Sequence, residues 1–266
     1  MTNDELILTT ILNCERKDLY LRPLELSDQE RHRYWKMKDR YRNGEPLQYI
    51  LGQWDFMDTM LCVNPHVLIP RPETELMVEA LLQKLRSVSC SEPLSILDLG
   101  TGSGNIAIAL AKNLGHCTVT AVDVSLEAIN VAKDNAALNN VSQKITFVVD
   151  DMAHFLASAK DSQEKYHAIV SNPPYIPTRS LAALPSKVRR EPRIALDGGT
   201  DGLDYYRVII PAATNVLKNN GVLFCEFGDG QRSGIEEALR INHRFGNIRF
   251  EKDYTQTDRF FSAQVI

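Results

Sequence analysis

Cysteine is sparse and unpatterned in this 266-residue chain. Cys14, Cys62, Cys90, Cys117 and Cys225 are odd in number and form no CxxC pair. That spacing argues against a disulfide framework and a zinc–thiolate site, and fits reduced thiols in a cytoplasmic protein. The six histidines are equally scattered, with no HxxxH or HExxH pair, so no metal site is expected. His66 and His167 read as structural. No run of about 18 apolar residues and no apolar signal-peptide core occurs, which argues against membrane insertion and secretion. The start, Met1-Thr2-Asn3-Asp4-Glu5, is acidic, unlike a mitochondrial transit peptide. Basic excess is also missing. A net charge of −4 counts against bulk electrostatic capture of nucleic acid, although it allows a local basic patch. With no repeats, 44% hydrophobic and 24% charged residues, the chain has an ordinary globular composition.

Two textures follow one another. Residues 1–52 read as helical and charged: Leu6, Ile7, Thr10, Ile11 and Leu12 fall at helical spacing, Ser27-Asp28-Gln29-Glu30 is a helix start, and Gly44-Glu45-Pro46 a stop. The Arg-rich stretch 31–42 reads as a solvated helix face. Residues 53–70 read as a β-hairpin linker. Arg71-Pro72-Glu73-Thr74-Glu75 then opens a helix with proline and acids in its first turn. Over 71–266, apolar strands alternate with helices: strands at 94–99, 117–122, 145–149, 167–170 and 221–227, with two more near Ile248 and Phe260. Near-continuous apolar strands between helices mean a Rossmann-like, doubly wound α/β domain with a mostly parallel sheet. Pro211 is expected to kink or divide the helix 203–217.

Asn172-Pro173-Pro174-Tyr175 follows the apolar run Tyr166–Ser171 and so sits at a strand's C-terminal end, where open α/β sheets place ligands. Prolines carry no N–H, so this loop offers carbonyl acceptors and one amide oxygen. It suits a substrate group with two N–H bonds, an amide or an exocyclic amine, with Tyr175 placed to cover a planar group. The bland alternative is a rigid turn.

Asp98-Leu99-Gly100-Thr101-Gly102-Ser103-Gly104-Asn105 links the first strand of the α/β domain to its helix. Its glycines let backbone N–H groups approach a ligand. Asn105 stands where a dinucleotide fingerprint needs its third glycine, and there is no P-loop Lys-Ser/Thr. An acid followed by GxGxG resembles the first motif of S-adenosylmethionine-dependent methyltransferases. Asp123, about 20 residues on, is a candidate for both ribose hydroxyls, against a simple N-cap for the helix near Ser125. Asp151 and Met152 are candidates for positioning and packing on adenine, against a core role for Met152.

The order Gly44–Gly52 (GEPLQYILG), Leu68–Glu75 (LIPRPETE), the GxGxG turn, NPPY at 172–175 and Glu191-Pro192 resembles the HemK-type protein-glutamine methyltransferases that modify peptide chain release factors. The resemblance runs from about residue 40 to the end, and the helical N-terminus fits that family's substrate-recruiting domain. It implies methyl transfer from S-adenosyl-L-methionine, leaving S-adenosyl-L-homocysteine, to the side-chain amide nitrogen of the release factor's Gly-Gly-Gln glutamine. By position, Gly100, Thr101, Gly102, Ser103 and Gly104 would hold the cofactor's methionine part. Asp123 would hold its ribose, and Asp151, Met152 and Asn172 would complete the cofactor site. Asn172, Pro173, Pro174 and Tyr175 would hold the glutamine, with Asn172 and Pro173 in the catalytic role. Met152 departs from the tryptophan some members carry there. The stretch 178–193, with Arg179, Lys187, Arg189, Arg190 and Arg193, is either a loop ordering over substrate or a solvated basic loop. No nucleic-acid substrate and no membrane partner are expected. The competing readings are a glutamine methyltransferase of a ribosomal protein, a nucleic-acid adenine N6-methyltransferase, and a non-catalytic cofactor-binding adaptor.

Overall fold

The computed structural model describes residues 1–21, 25–88, 91–160 and 165–266; Cys90 lies outside them. Four helices come first: α1 (Asn3–Leu12), α2 (Asp18–Leu21), α3 (Asp28–Arg42) and α4 (Leu47–Leu51). Capping boxes start α1 and α3, with Thr2 paired to Glu5 and Ser27 to Glu30, so two orphan amides at each helix start are satisfied locally. Apolar support here is thin. Ile7, Ile11 and Leu47 form the buried cluster, and α3 buries no residue at all.

The hairpin β1 (Gln53–Phe56) and β2 (Thr59–Cys62) is shorter than the sequence suggests. Beyond residue 62 the chain runs without regular structure to α5 (Pro72–Arg86). The remaining elements are β3 (Leu94–Leu99), α6 (Asn105–Asn113), β4 (Cys117–Asp123), α7 (Leu126–Leu138), β5 (Ile145–Val149), α8 (Met152–Ala159), β6 (Tyr166–Ser171), α9 (Asp204–Val216), β7 (Leu217–Glu226), α10 (Arg232–Asn242), β8 (Phe245–Lys252) and β9 (Asp258–Val265). Pro211 does not divide α9, which runs continuously through it. The proline and Arg207, whose carbonyl loses its helical donor, are both exposed, so water can take the donor's place.

Seven strands form one sheet in the order β5-β4-β3-β6-β7-β9-β8. The first five in that order run parallel, and β9 is antiparallel to both neighbours. This is the Rossmann-like architecture. Successive side chains alternate between faces: Ile96 joins the core packed under α5 and α6, while Leu97 and Leu99 join the one under α9 and α10. Truncating a fully buried residue such as Leu97 to alanine costs about 2–5 kcal/mol.

From β3 the chain builds outward through β4 to β5, then crosses back to lay β6 on β3's other side. The carboxyl ends of β3 and β6 therefore flank the switch point where such sheets bind ligands. Register brings the strand ends level, with Leu99 beside Val122 and Ser171, Asp123 beside Val149, and Ser171 beside Cys225.

Candidate active site

A cleft of about 1010 Å³, partly open to solvent, lies over that edge. Gly100, Thr101, Gly102, Ser103, Asp123, Asp151, Met152, Asn172 and Pro174 all line it. Three other residues singled out from sequence do not. Gly104 caps α6 from the left-handed region (φ +80°), and a Cβ there would come within 3.1 Å of Ala132; its task is the close approach of α6 to α7. Pro173 is buried between two lining residues. Tyr175 is turned away, its hydroxyl donating to Glu226 Oε1 at 3.2 Å, and it covers nothing in the cleft in this conformation.

On the glycine side the cleft is acidic. Gly102, itself left-handed at φ +55°, donates its N–H to Asp123 Oδ2 at 2.8 Å, and Ser125 N–H donates to Oδ1 at 3.0 Å. The α7 N-cap is Ser125, which accepts from Ala128 N–H, so Asp123 stands two residues before the cap, outside the helix. Burial raises its pKa, against the pull of the Ser125, Gly102 and Val124 amides. Beneath the turn, Asp98 accepts from the Thr101 hydroxyl at 2.7 Å, and burial pushes its pKa up to about 7. Asp98 Oδ1 and Ser103 Oγ are buried there without a hydrogen-bond partner. Asp150 and Asp151 complete the acidic wall, although Asp151 also caps α8 through Ala153 and His154 N–H. Met152 both lines the cleft and packs on the core under α9. The single lining cation among Lys and Arg, Arg71, is held by Glu191 at 2.5 Å. Three carboxylates and an occupied Gly102 amide disfavour a pyrophosphate and favour a cationic ligand carrying a diol. S-adenosylmethionine, with its sulfonium, ammonium and ribose, fits this donor set.

On the other side Asn172 Nδ2 donates to Thr74 Oγ1 at 3.1 Å. Thr74, from α5, in turn donates to Glu226 Oε2 at 2.5 Å at the end of β7. Neither Asn172 Oδ1 nor the Pro173 carbonyl accepts a hydrogen bond among the described residues. The loop's shape is set from behind. Gln231 Nε2 donates to the Tyr175 carbonyl at 2.8 Å, Gly198 N–H donates to the Ile176 carbonyl, and a Cβ on Gly198 would sit 2.7 Å from Tyr175 Cα.

The basic stretch 178–193 is folded as short 3₁₀ turns, Thr178–Ala183 and Val188–Arg190, with a third at Arg193–Ala195. Its charge is largely used internally. Lys187 lies 3.7 Å from the Tyr41 ring centroid, Arg190 donates to the Asn43 carbonyl at 2.7 Å, and Arg193 pairs with Asp197. Buried Glu191 accepts from Ile69 N–H at 3.1 Å as well as from Arg71. That stitch draws Pro192, Ile194 and Ala195 to the cleft wall beside Pro70 and Arg71.

Sequence reasoning missed Thr74, Glu226 and Tyr205, which also lines the cleft. Glu226 had a legible signal, an acid ending an apolar strand as Asp98 and Asp123 do. Thr74 was visible only as a member of the LIPRPETE stretch, and Tyr205 had no signal. No described helix is long and apolar enough to cross a membrane, and no metal-binding cluster occurs among the described residues.

Two family models match the chain: the PrmC N-terminal domain over residues 3–52 and the methyltransferase small domain over 72–184. A release factor glutamine methyltransferase from Moorella thermoacetica is 42% identical over 90% of this chain and 82% of its own length. The one from Chlorobaculum tepidum is 40% identical over 98% and 89%. Among solved structures, a SAM-dependent methyltransferase from Agrobacterium tumefaciens superposes with a TM-score of 0.56 at 17% identity, covering 80% of this chain and 70% of its own. A methyltransferase from Pyrococcus furiosus gives 0.54 at 16%, covering 90% and 98%. Those two share the fold alone. Both domain matches and the identity held over nearly the whole length place this chain in the release factor glutamine methyltransferase family, as a SAM-dependent protein-glutamine methyltransferase.

Proposed function

We propose that the protein methylates the side-chain amide nitrogen of the glutamine in the Gly-Gly-Gln loop of peptide chain release factors, using S-adenosyl-L-methionine. The observation that carries this is an unused acceptor, Asn172 Oδ1, on a cleft-lining residue beside an acidic glycine turn, with the unused carbonyl of Pro173 next to it in the chain. The names of relatives matching most of the chain support the substrate.

The bound cofactor supplies a methyl group on a positively charged sulfur. Asp123 holds the ribose diol, and the glycine turn with its acidic surroundings holds the methionine part. Asn172 Oδ1 and Pro173 O would each accept one N–H of the substrate amide and so orient its nitrogen for the transfer. An amide nitrogen is a poor nucleophile, so orientation is the main contribution, and it can supply roughly 7–11 kcal/mol. The same acceptors stabilise positive charge as it develops on that nitrogen, each contributing of order 3 kcal/mol. In such a transfer the amide nitrogen would gain the methyl group that the cofactor's sulfur gives up and would lose one N–H proton to water, with no side-chain base required. Before transfer, the acidic wall around Asp123, Asp150 and Asp151 favours the cationic cofactor over its neutral sulfur product.

Labelled methyl transfer tests the reading with three substrates: a release factor, the same factor with its loop glutamine changed to alanine, and duplex DNA. Label on the unaltered factor alone supports it. Label on DNA instead supports an adenine-methylating enzyme, and label on the alanine variant places the target elsewhere.

A further inference from the structure

Resting on the proposed glutamine chemistry, we infer that Thr74 and Glu226 are positioning residues. The buried Glu226 carboxylate fixes the direction of the hydrogen-bond chain to Asn172 and thereby holds the Asn172 amide with its oxygen toward the substrate.

An asparagine amide is nearly symmetric in shape, so packing alone does not choose between its oxygen and its NH₂. The choice falls to its hydrogen-bond partners. Presented the wrong way round, Asn172 would point donors at a substrate NH₂ and bind it in no useful manner. Thr74 is fully buried and Glu226 is 1% exposed, so water does not compete at either. An ionised carboxylate has no proton to give. Both of its neighbours must therefore donate: the Thr74 hydroxyl to Oε2 at 2.5 Å and the Tyr175 hydroxyl to Oε1 at 3.2 Å. Thr74 has one proton, and it is spent. Towards Asn172 it offers only a lone pair, so Asn172 must turn its NH₂ to Thr74 and its Oδ1 away, the arrangement observed at 3.1 Å. The charge at Glu226 thus decides the polarity of a group it does not touch.

Protonation would release that constraint. A neutral Glu226 can donate to Thr74, whose hydroxyl then becomes free to donate to Asn172 Oδ1 and stabilise the flipped amide. The groups facing Glu226 are Thr74 and Glu73 from α5, Tyr175 from the loop after β6, Tyr206 from α9, whose hydroxyl donates to the Glu226 backbone carbonyl at 2.6 Å, and Arg259 from β9, whose own carboxylate partner is Asp253. Burial is the strongest influence and lifts the Glu226 pKa to about 7, against the two hydroxyls and Arg259, while Glu73 pushes it further up. The ordered state of Asn172 is accordingly lost as pH falls through that region. The network also explains why Tyr175 faces inward: its hydroxyl is the second donor that favours the ionised form of Glu226 against burial.

The test uses the full chain with a release factor and S-adenosylmethionine, comparing Thr74→Val, Thr74→Ser and Glu226→Gln. Thr74→Val keeps shape but removes the relay, and its kcat is expected to fall by about 10–100-fold, the scale seen for residues that orient a reacting group through another. Cofactor affinity and the KM for release factor should stay near wild type. Thr74→Ser restores the hydroxyl and should restore kcat. Glu226→Gln should lower kcat and abolish the fall in kcat that the inference expects of wild type as pH drops below about 7. Unchanged kcat in Thr74→Val overturns the inference. So does a loss in Thr74→Val that serine does not rescue, or an acid limb that survives in Glu226→Gln. Should Thr74→Val fail to fold, Thr74→Ser and the Glu226→Gln pH profile still decide. A wild-type enzyme that leaves the glutamine unmethylated overturns the proposed function itself, a distinct result because no variant is involved.

Discussion

On the cofactor side of the cleft the polar groups come from one stretch of chain. The glycine turn, Asp98, Asp123 and Ser125 fall within 28 residues and bond one another at short range. On the substrate side Asn172 depends on partners 98 and 152 residues apart in sequence, Asn172 to Thr74 and Thr74 to Glu226. The first half is a motif folded by its own backbone. The second is an assembly that exists only once α5, β6 and β7 are packed together. A local site tolerates losing one contact because the turn itself persists. An assembled site passes each loss along to Asn172.

The largest effect expected on this contrast comes from Asn172→Ala. Removing a preorganised acceptor should lower the methyl-transfer rate by about 10²–10³-fold, while titration calorimetry should find cofactor affinity little changed. Asp123→Ala should do the opposite, weakening cofactor binding by about 10–100-fold through loss of charge-assisted hydrogen bonds. Its circular dichroism spectrum should match wild type, because α7 keeps its Ser125 cap. A variant that damages both binding and rate equally would erase the distinction between the halves.

The substrate half also carries a stability cost that the pH scale can expose. Glu226 has a folded-state pKa near 7, raised from an ordinary 4.5 by burial. The folded protein therefore prefers the protonated acid, and stability contributed by that proton is present below about pH 4.5 and lost as pH rises to about 7. The loss amounts to a few kcal/mol on the order-of-magnitude scale of 1.36 kcal/mol per pKa unit. Glu226→Gln is expected to gain melting temperature relative to wild type as pH is raised from 5 to 8, while losing activity. Thermal melts across that range check the sign; a difference that stays constant with pH contradicts a buried, titrating Glu226. Least of all should Ser27→Ala matter to the cleft. It removes one capping box from the exposed helix α3 and should cost about 1 kcal/mol, with kcat untouched in a steady-state assay.

The same division decides what sequence could reveal. The sheet was legible because fully buried parallel strands read as uninterrupted apolar runs, and the helix starts at Ser27 and Pro72 because capping and first-turn proline are local chemistry. The glycine turn and Asp123 were legible for the same reason. Thr74 was visible only as part of a resemblance, since nothing local says that its hydroxyl reaches Glu226 at the end of β7. The inward turn of Tyr175 and the docking of Lys187 and Arg190 on α3 and the residue after it depend on tertiary contacts between distant segments. The expected division of α9 at Pro211 does not occur because the local rule ignores where the helix meets solvent.

The role proposed for Asn172 and Pro173 is to orient a glutamine amide for transfer. The most direct test is mass-spectrometric mapping of the methyl group on a release factor treated with wild-type enzyme and, in parallel, with Asn172→Ala. One methyl group on the side-chain amide of the Gly-Gly-Gln glutamine is expected with wild type, and almost none at equal time with the variant. A methyl group on any other residue, or equal modification by Asn172→Ala, would contradict it.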